Sequence, residues 1–247
     1  PKEFLRFKFN LNYTRGDGRS MYENMDGANE GAGPINSALQ FDPTLAPGID
    51  PETGRYRKNS FIALDNPEAL LHGVSPEKQD NNVYGTFTTE IEPLKDLVAT
   101  VRLGATIDTY TQSSYRSRET LNGLASKGEA SKKSEEKTQW LAEFLLSYKK
   151  NFNDVHKFTI LAGTTFEQFS SQYVEGKAKG FLSDVTGFNS LQSGDKLNGD
   201  DVFSGKERNR LNGVLGRINY DLLNRYLLTA SFRYDGTSRF SSDHKYA

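Results

Sequence analysis

The chain carries 31 basic and 32 acidic side chains over 247 residues, a formal net charge of -1, so no global field draws it to nucleic acid or anionic lipid. Hydrophobic residues are only 35% and mean hydropathy is -0.67, yet aromatics reach 12%, a balance unlike a soluble helical domain and like a barrel strand that shows lipid at every second residue. No apolar run approaches the roughly 20 residues of a spanning helix, and the absence of cysteine excludes disulfides and thiolate metal sites.

The sequence opens on Pro1-Lys2-Glu3-Phe4 with no basic start, apolar stretch or small-residue cleavage site, and reads as an internal piece of a longer protein. Residues 3 to 14 alternate strictly: Leu5, Phe7, Phe9, Leu11 and Tyr13 share one face, while Arg6, Lys8, Asn10, Asn12 and Thr14 share the other. A long connection over 15 to 80 holds six of the 8 prolines (Pro34, Pro43, Pro47, Pro51, Pro67, Pro76) and is expected to be ordered by turns and contacts. Strands follow at 81 to 92 and 97 to 110, the second with Leu97, Ala99, Val101, Leu103, Ala105 and Ile107 on an uncharged face.

Residues 111 to 136 form a second long connection, in which the mixed-charge run 126 to 137 reads as a solvated loop tip. Residues 137 to 149 read as a strand, although Trp140-Leu141-Ala142-Glu143-Phe144-Leu145-Leu146 is apolar on both faces and also fits a short helix. Strands are expected at 156 to 169 and 209 to 220, separated by a third long connection over 170 to 208. The last, 225 to 235, places Tyr226, Leu228, Ala230, Phe232 and Tyr234 opposite Thr229, Ser231, Arg233 and Asp235.

Short connections at 92 to 96, 150 to 155 and 221 to 224 alternate with the long ones without exception. All long connections therefore leave one edge of the sheet, the asymmetry of an outer-membrane barrel with tight periplasmic turns and long extracellular loops. A soluble sandwich predicts shorter strands, whereas these match the 9 to 11 residues of a tilted spanning strand. Tyr13, Tyr110, Tyr148, Tyr220 and Tyr226 sit near strand ends, where half-buried rings suit the headgroup zone.

Enzymatic chemistry finds no foothold. His72, His156 and His244 stand apart without a spaced second ligand, and no Gly-x-Ser-x-Gly elbow accompanies them. The glycine-rich run Gly27-Ala28-Asn29-Glu30-Gly31-Ala32-Gly33 lacks the Lys-Ser or Lys-Thr of a phosphate loop. Asp195, Asn198, Gly199, Asp200 and Asp201 loosely resemble a calcium loop but miss the ligand alternation and closing Glu. No cofactor, metal or catalytic residue is assigned. Tyr115, Tyr173, Phe181, Phe188 and Phe203, in the long connections, have two readings: stacking on a sugar ring or gripping a peptide, or anchoring the loop to its neighbours.

At 217 to 240 the text RINYDLLNRYLLTASFRYDGTSRF strongly resembles the SusC/RagA family of TonB-linked outer-membrane receptors of Bacteroidetes. Asp42-Pro43-Thr44-Leu45-Ala46-Pro47, Gly54-Arg55-Tyr56 and Asn66-Pro67-Glu68-Ala69-Leu70-Leu71 resemble the family's first extracellular loops, in similar order and spacing. Tyr234 is a departure, since the family commonly has a charge there.

The resemblance implies an all-β fold: about seven antiparallel strands of a transmembrane β-barrel that is 22-stranded in the family, with long extracellular loops. All of 1 to 247 would belong to that single barrel domain, the plug and C-terminal strands lying outside it. It further implies TonB-dependent import of glycans or peptides across the bacterial outer membrane, with a SusD-like surface lipoprotein, TonB and membrane lipid as partners. On that expectation Arg6, Lys8, Arg102, Asp108 and Arg233 face the lumen, while the alternate residues face lipid. The competing architecture is a soluble β-sandwich that binds surface glycans and buries both sheet faces between layers.

Overall fold

The computed structural model describes residues 4–19, 33–196 and 199–241; His244, Asn198 and most of the run 27 to 33 lie outside these. In chain order the elements are β1 (Leu5–Gly18), α1 (Gly33–Gln40), β2 (Ile49–Asp50), β3 (Arg55–Tyr56), α2 (Pro67–Gly73), β4 (Val74–Leu94) and β5 (Leu97–Arg116), followed by α3 (Leu121–Ser126), β6 (Glu129–Phe152), β7 (His156–Phe181), β8 (Gly194–Lys196), β9 (Val202–Leu222) and β10 (Tyr226–Thr237). One antiparallel sheet runs β1-β4-β5-β6-β7-β9-β10, so each long strand pairs with the next long strand in the chain. β8 adds to β7, and β2 pairs with β3 separately.

All seven expected strands are present, and residues 137 to 149 are strand within β6. Their upper ends run further than hydropathy suggested. The supposed loop tip at 126 to 137 is instead mostly the start of β6, and β4, β7 and β9 likewise extend into stretches read as connections. The reason is electrostatic: where both faces are wet, a strand needs no apolar alternation and is stitched by ion pairs. Glu129 meets Lys179 at 3.2 Å and Arg116 at 3.9 Å, and Glu135 meets Lys137 at 3.0 Å and Lys133 at 3.2 Å.

At the opposite edge the turns are tight. Asn153 and Asp154 have φ of 52° and 56°, and Leu223 and Asn224 have 59° and 53°, the sign pattern of type I′ turns whose twist matches a hairpin. The amides of Val155 and Arg225 close these turns onto the carbonyls of Phe152 and Leu222 at 3.1 and 3.0 Å.

Register fixes the faces, because residues directly opposite in an antiparallel pair lie on the same side. Leu5 is linked row-wise to Ile91, Ala99, Leu146, Ala162, Gly216 and Phe232. The same face collects Phe7, Phe87, Leu103, Phe144, Phe166, Ile218 and Leu228, forming an uncharged and mostly apolar window that covers at least 9 residues of each strand. These windows are offset by about one residue per strand, since β1 begins at the level of Phe232 while β10 begins at Tyr226, as tilted strands require.

No second layer of the described residues covers the window: Phe9, Leu11, Leu228 and Phe232 are 64–67% exposed. The buried hydrophobic residues are Leu64, Ala69, Leu70, Val74, Tyr115, Ala130, Ala178 and Phe181, all in the loops or the upper strand ends. A sandwich would show the reverse, so that architecture is set aside.

Candidate functional site

Opposite the uncharged window, the second face of the sheet carries charged and hydroxyl side chains, with Leu145 and Leu215 among them. One row joins Arg6, Glu90, Thr100, Leu145, Gly163, Leu215 and Arg233; the next joins Lys8, Thr88, Arg102, Glu143, Thr165, Gly213 and Asp235. Asp108 lies further up the same face, in line with Asn82 and Lys137, and accepts a hydrogen bond from the Asn82 amide. The sheet thus brings Arg6, Lys8, Arg102, Asp108 and Arg233 to one side.

Arg6, Lys8, Arg102 and Arg233 each have an acidic partner. Glu90 receives Lys8 Nζ at 2.7 Å and Arg6 Nη1 at 3.2 Å, Arg102 Nη1 meets Glu143 Oε2 at 2.6 Å, and Arg233 Nε meets Asp235 at 2.7 Å. The sequence reading singled out the cations and passed over Glu90 and Glu143, although their parity in the strands marks the same face. Between these pairs a groove of about 590 Å³ is lined by Lys8, Thr86, Glu90, Arg102, Thr106 and Gln139.

The upper ends of the strands carry the loops. Gly180, with φ of 79°, breaks the alternation of β7 and turns Phe181 to the side of Tyr115, where the rings meet edge-on at 5.4 Å. Ala130 and Ala178 complete this cluster, with Phe188 and Leu191 packed against it. Tyr115 Oη donates to Asp184 Oδ1 at 2.6 Å, and Arg118 stands 3.7 Å from the same oxygen. Burial and this carboxylate push the Tyr115 phenol well above its ordinary range.

The five loop aromatics therefore divide. Tyr115 and Phe181 are buried, so as ligand contacts they are corrected to loop anchors, and Phe188 is half-buried against them. Tyr173 and Phe203 keep exposed rings, with Lys133 Nζ 5.3 Å and Lys177 Nζ 5.2 Å from their centroids.

Leu64, Ala69 and Leu70 in the connection after β1, and Val74 at the start of β4, are also buried. Asn66 caps α2 by accepting from the amide of Glu68 at 2.9 Å, while its own amide donates to the Arg57 carbonyl at 3.0 Å. Asp65 reaches across to the next loop, where its Oδ1 accepts from the Leu121 amide at 2.5 Å. Burial holds the Asp65 carboxyl above the usual carboxylate range against that hydrogen bond and the nearby Arg116. His72 stacks on Tyr56, and His156 shares a 2.8 Å hydrogen bond with Tyr220; among the described residues no group of three or more His, Asp or Glu could hold a metal ion.

No family model matches the chain. TonB-dependent receptor P3 of Formosa agariphila is 28% identical over 247 residues, covering 98% of this chain and 24% of the relative. TonB-dependent receptor SusC of Bacteroides thetaiotaomicron is 56% identical over 39 residues, 16% of this chain and 4% of the relative. The chain spans at most about a quarter of the curated relatives it matches. In fold it is similar to a chain of the RagAB peptide transporter, with a TM-score of 0.79 over 100% of this chain and 27% of that one at 19% identity. With an uncharged window on one face and paired charges on the other, the chain is a stretch of antiparallel β-barrel similar to the SusC/RagA-like TonB-dependent receptors.

Proposed function

We propose that the chain supplies barrel wall and extracellular loops to an outer-membrane importer of glycans or peptides, all of it belonging to one barrel domain of a longer receptor. The observation that carries this is the naked uncharged window, about 25 Å tall on tilted strands, backed by a charged face. Arg6, Lys8, Arg102, Asp108 and Arg233 then line the lumen or meet a plug domain, through which the receptor couples to TonB. Exposed Tyr173 and Phe203 suit a sugar ring or an apolar peptide side chain, and Phe188 is partly exposed as well.

In the connection after β1, Ile35, Leu39, Phe61 and Leu71 are exposed at 56–83%, an apolar surface suited to a SusD-like surface lipoprotein. The test is to express the full receptor and fractionate the cell, then measure uptake of labelled oligosaccharides and oligopeptides with and without TonB. Recovery in the outer membrane with TonB-dependent uptake supports the reading. A receptor that stays in solution without detergent overturns it.

A further inference from the structure

On β9 the uncharged window runs Leu222, Tyr220, Ile218, Gly216 and Val214; after Asn212 the same face carries Arg210, Arg208 and Lys206 in succession. All three are exposed, and among the described residues none makes an ion pair; Arg210 Nε donates to Gln168 at 2.9 Å. Their row neighbours on β7 are Gln168, Ser170 and Gln172, all uncharged. The carboxylate in line with them is Glu136, two strands away from Lys206.

Other strands differ at this height. β1 places Arg15 there with Asp17 at 2.8 Å, β5 offers Thr109, Thr111 and Ser113, and β6 has Glu136, Ser134 and Lys132. β9 is thus the strand on which three unpaired cations stand above the window at alternate positions. Such charge, beside hydrocarbon, attracts anions at the membrane surface.

We infer that Lys206, Arg208 and Arg210 hold the phosphate groups of a phosphorylated glycolipid in the outer leaflet. The inference rests on the barrel reading, which sets this edge outside the cell. Arg210, Arg208 and Lys206 lie four, six and eight residues beyond Val214, roughly 11, 16 and 22 Å further out on a tilted strand. These distances exceed the depth of a glycerol phosphate, and they suit phosphates carried on a sugar backbone, with long cationic side chains reaching down to them. Gln168, Ser170 and Gln172 can hydrogen-bond the sugar hydroxyls between the charges.

The test uses the full receptor in phosphatidylcholine nanodiscs containing bisphosphorylated lipid A, with bound lipid counted by native mass spectrometry. K206Q/R208Q/R210Q is expected to lower lipid A retention by about tenfold or more, while K132Q leaves it unchanged. Dephosphorylated lipid A is expected to bind as weakly to the wild type as lipid A does to the triple variant. Heat-modifiable gel migration confirms that each variant is folded, and if the triple variant fails, single glutamine variants must show graded losses. Equal retention by wild type and variant, or equal binding of dephosphorylated lipid A, overturns the proposal. Inorganic phosphate binding at these residues without lipid A retention also overturns it. A receptor that inserts and transports normally yet shows no lipid A preference sinks this inference alone and leaves the barrel reading standing.

Discussion

Arg102 and Glu143 stand directly opposite each other on β5 and β6, with Nη1 2.6 Å from Oε2, on the face that also carries the Arg6–Glu90 and Lys8–Glu90 pairs. The pair is partly exposed, at 45% and 19%, so water screens much of its attraction. Replacing Arg102 by Ala is expected to lower the unfolding free energy of the full receptor by about 1 kcal/mol or less, measured by urea titration in vesicles. A loss several times larger would place the pair in a dry environment and contradict a wet lumen.

Lysine scanning separates the two faces. Phe9→Lys or Leu103→Lys should cost roughly 2 to 4 kcal/mol near mid-bilayer, while Asn10→Lys or Thr100→Lys should have little effect. Register puts Phe9 and Leu103 in one row, through Phe87, so the two expensive sites test a single surface. Equal costs on both faces would remove the basis for the assignment.

Tyr115 and Phe181 hold the segment that follows β7. Phe181→Ala is expected to destabilise that segment by about 3 kcal/mol or more, and Tyr115→Phe by about 1 kcal/mol through loss of the Asp184 hydrogen bond. Hydrogen exchange at 182 to 193 reads both effects, with exchange in β7 below Phe169 unchanged. If β7 loosened throughout, the cluster would be part of the wall and not a loop anchor.

Asp65 gives a pH dependence of defined sign. Burial raises its folded-state value above that of the free carboxyl, so the folded loop binds the extra proton in the window between the two. Loop stability is therefore full below the free carboxylate range and falls as pH rises through the folded value. Asp65→Asn, which keeps an acceptor for the Leu121 amide, should flatten that decline. Exchange at Leu121, corrected for its intrinsic rate between pH 4 and 7, measures it; identical profiles for variant and wild type would contradict the burial argument.

Leu223 occupies the left-handed region at φ 59° in the turn between β9 and β10. A branched side chain is disfavoured there by about 1 kcal/mol, so Leu223→Gly or Leu223→Asn should raise stability by up to that amount. Its amide donates to the Val155 carbonyl at 2.8 Å, linking two neighbouring turns, and that bond survives either substitution. An unfolding midpoint that falls would show that the Leu223 side chain itself contributes contacts.

How much was legible depended on what each residue had to avoid. Phe7, Phe9 and Leu11 alternate with Lys8 and Asn10 because one face excludes charge, and that requirement writes period two into the text. Above the membrane the constraint lapses: Glu129 to Lys137 is strand by virtue of its neighbours, and only register reveals Lys133, Glu135 and Lys137 as a stitched set. The helices of the loops are too short for a periodic signal, and the cap that Asn66 gives α2 was not read from the sequence. Parity would have kept Phe181 away from Tyr115, and the positive φ at Gly180 is what overrides it.

The stagger of the apolar windows also sets how much barrel circumference these strands supply. A shift of one residue, about 3.3 Å, for each lateral step of about 4.8 Å corresponds to a lean of about 35°. Leaning strands each occupy about 6 Å of circumference, so the seven here account for roughly 40 Å of perimeter. Widening such a cylinder means adding hairpins to it, because side-chain changes within this arc alter its lining and leave its girth untouched.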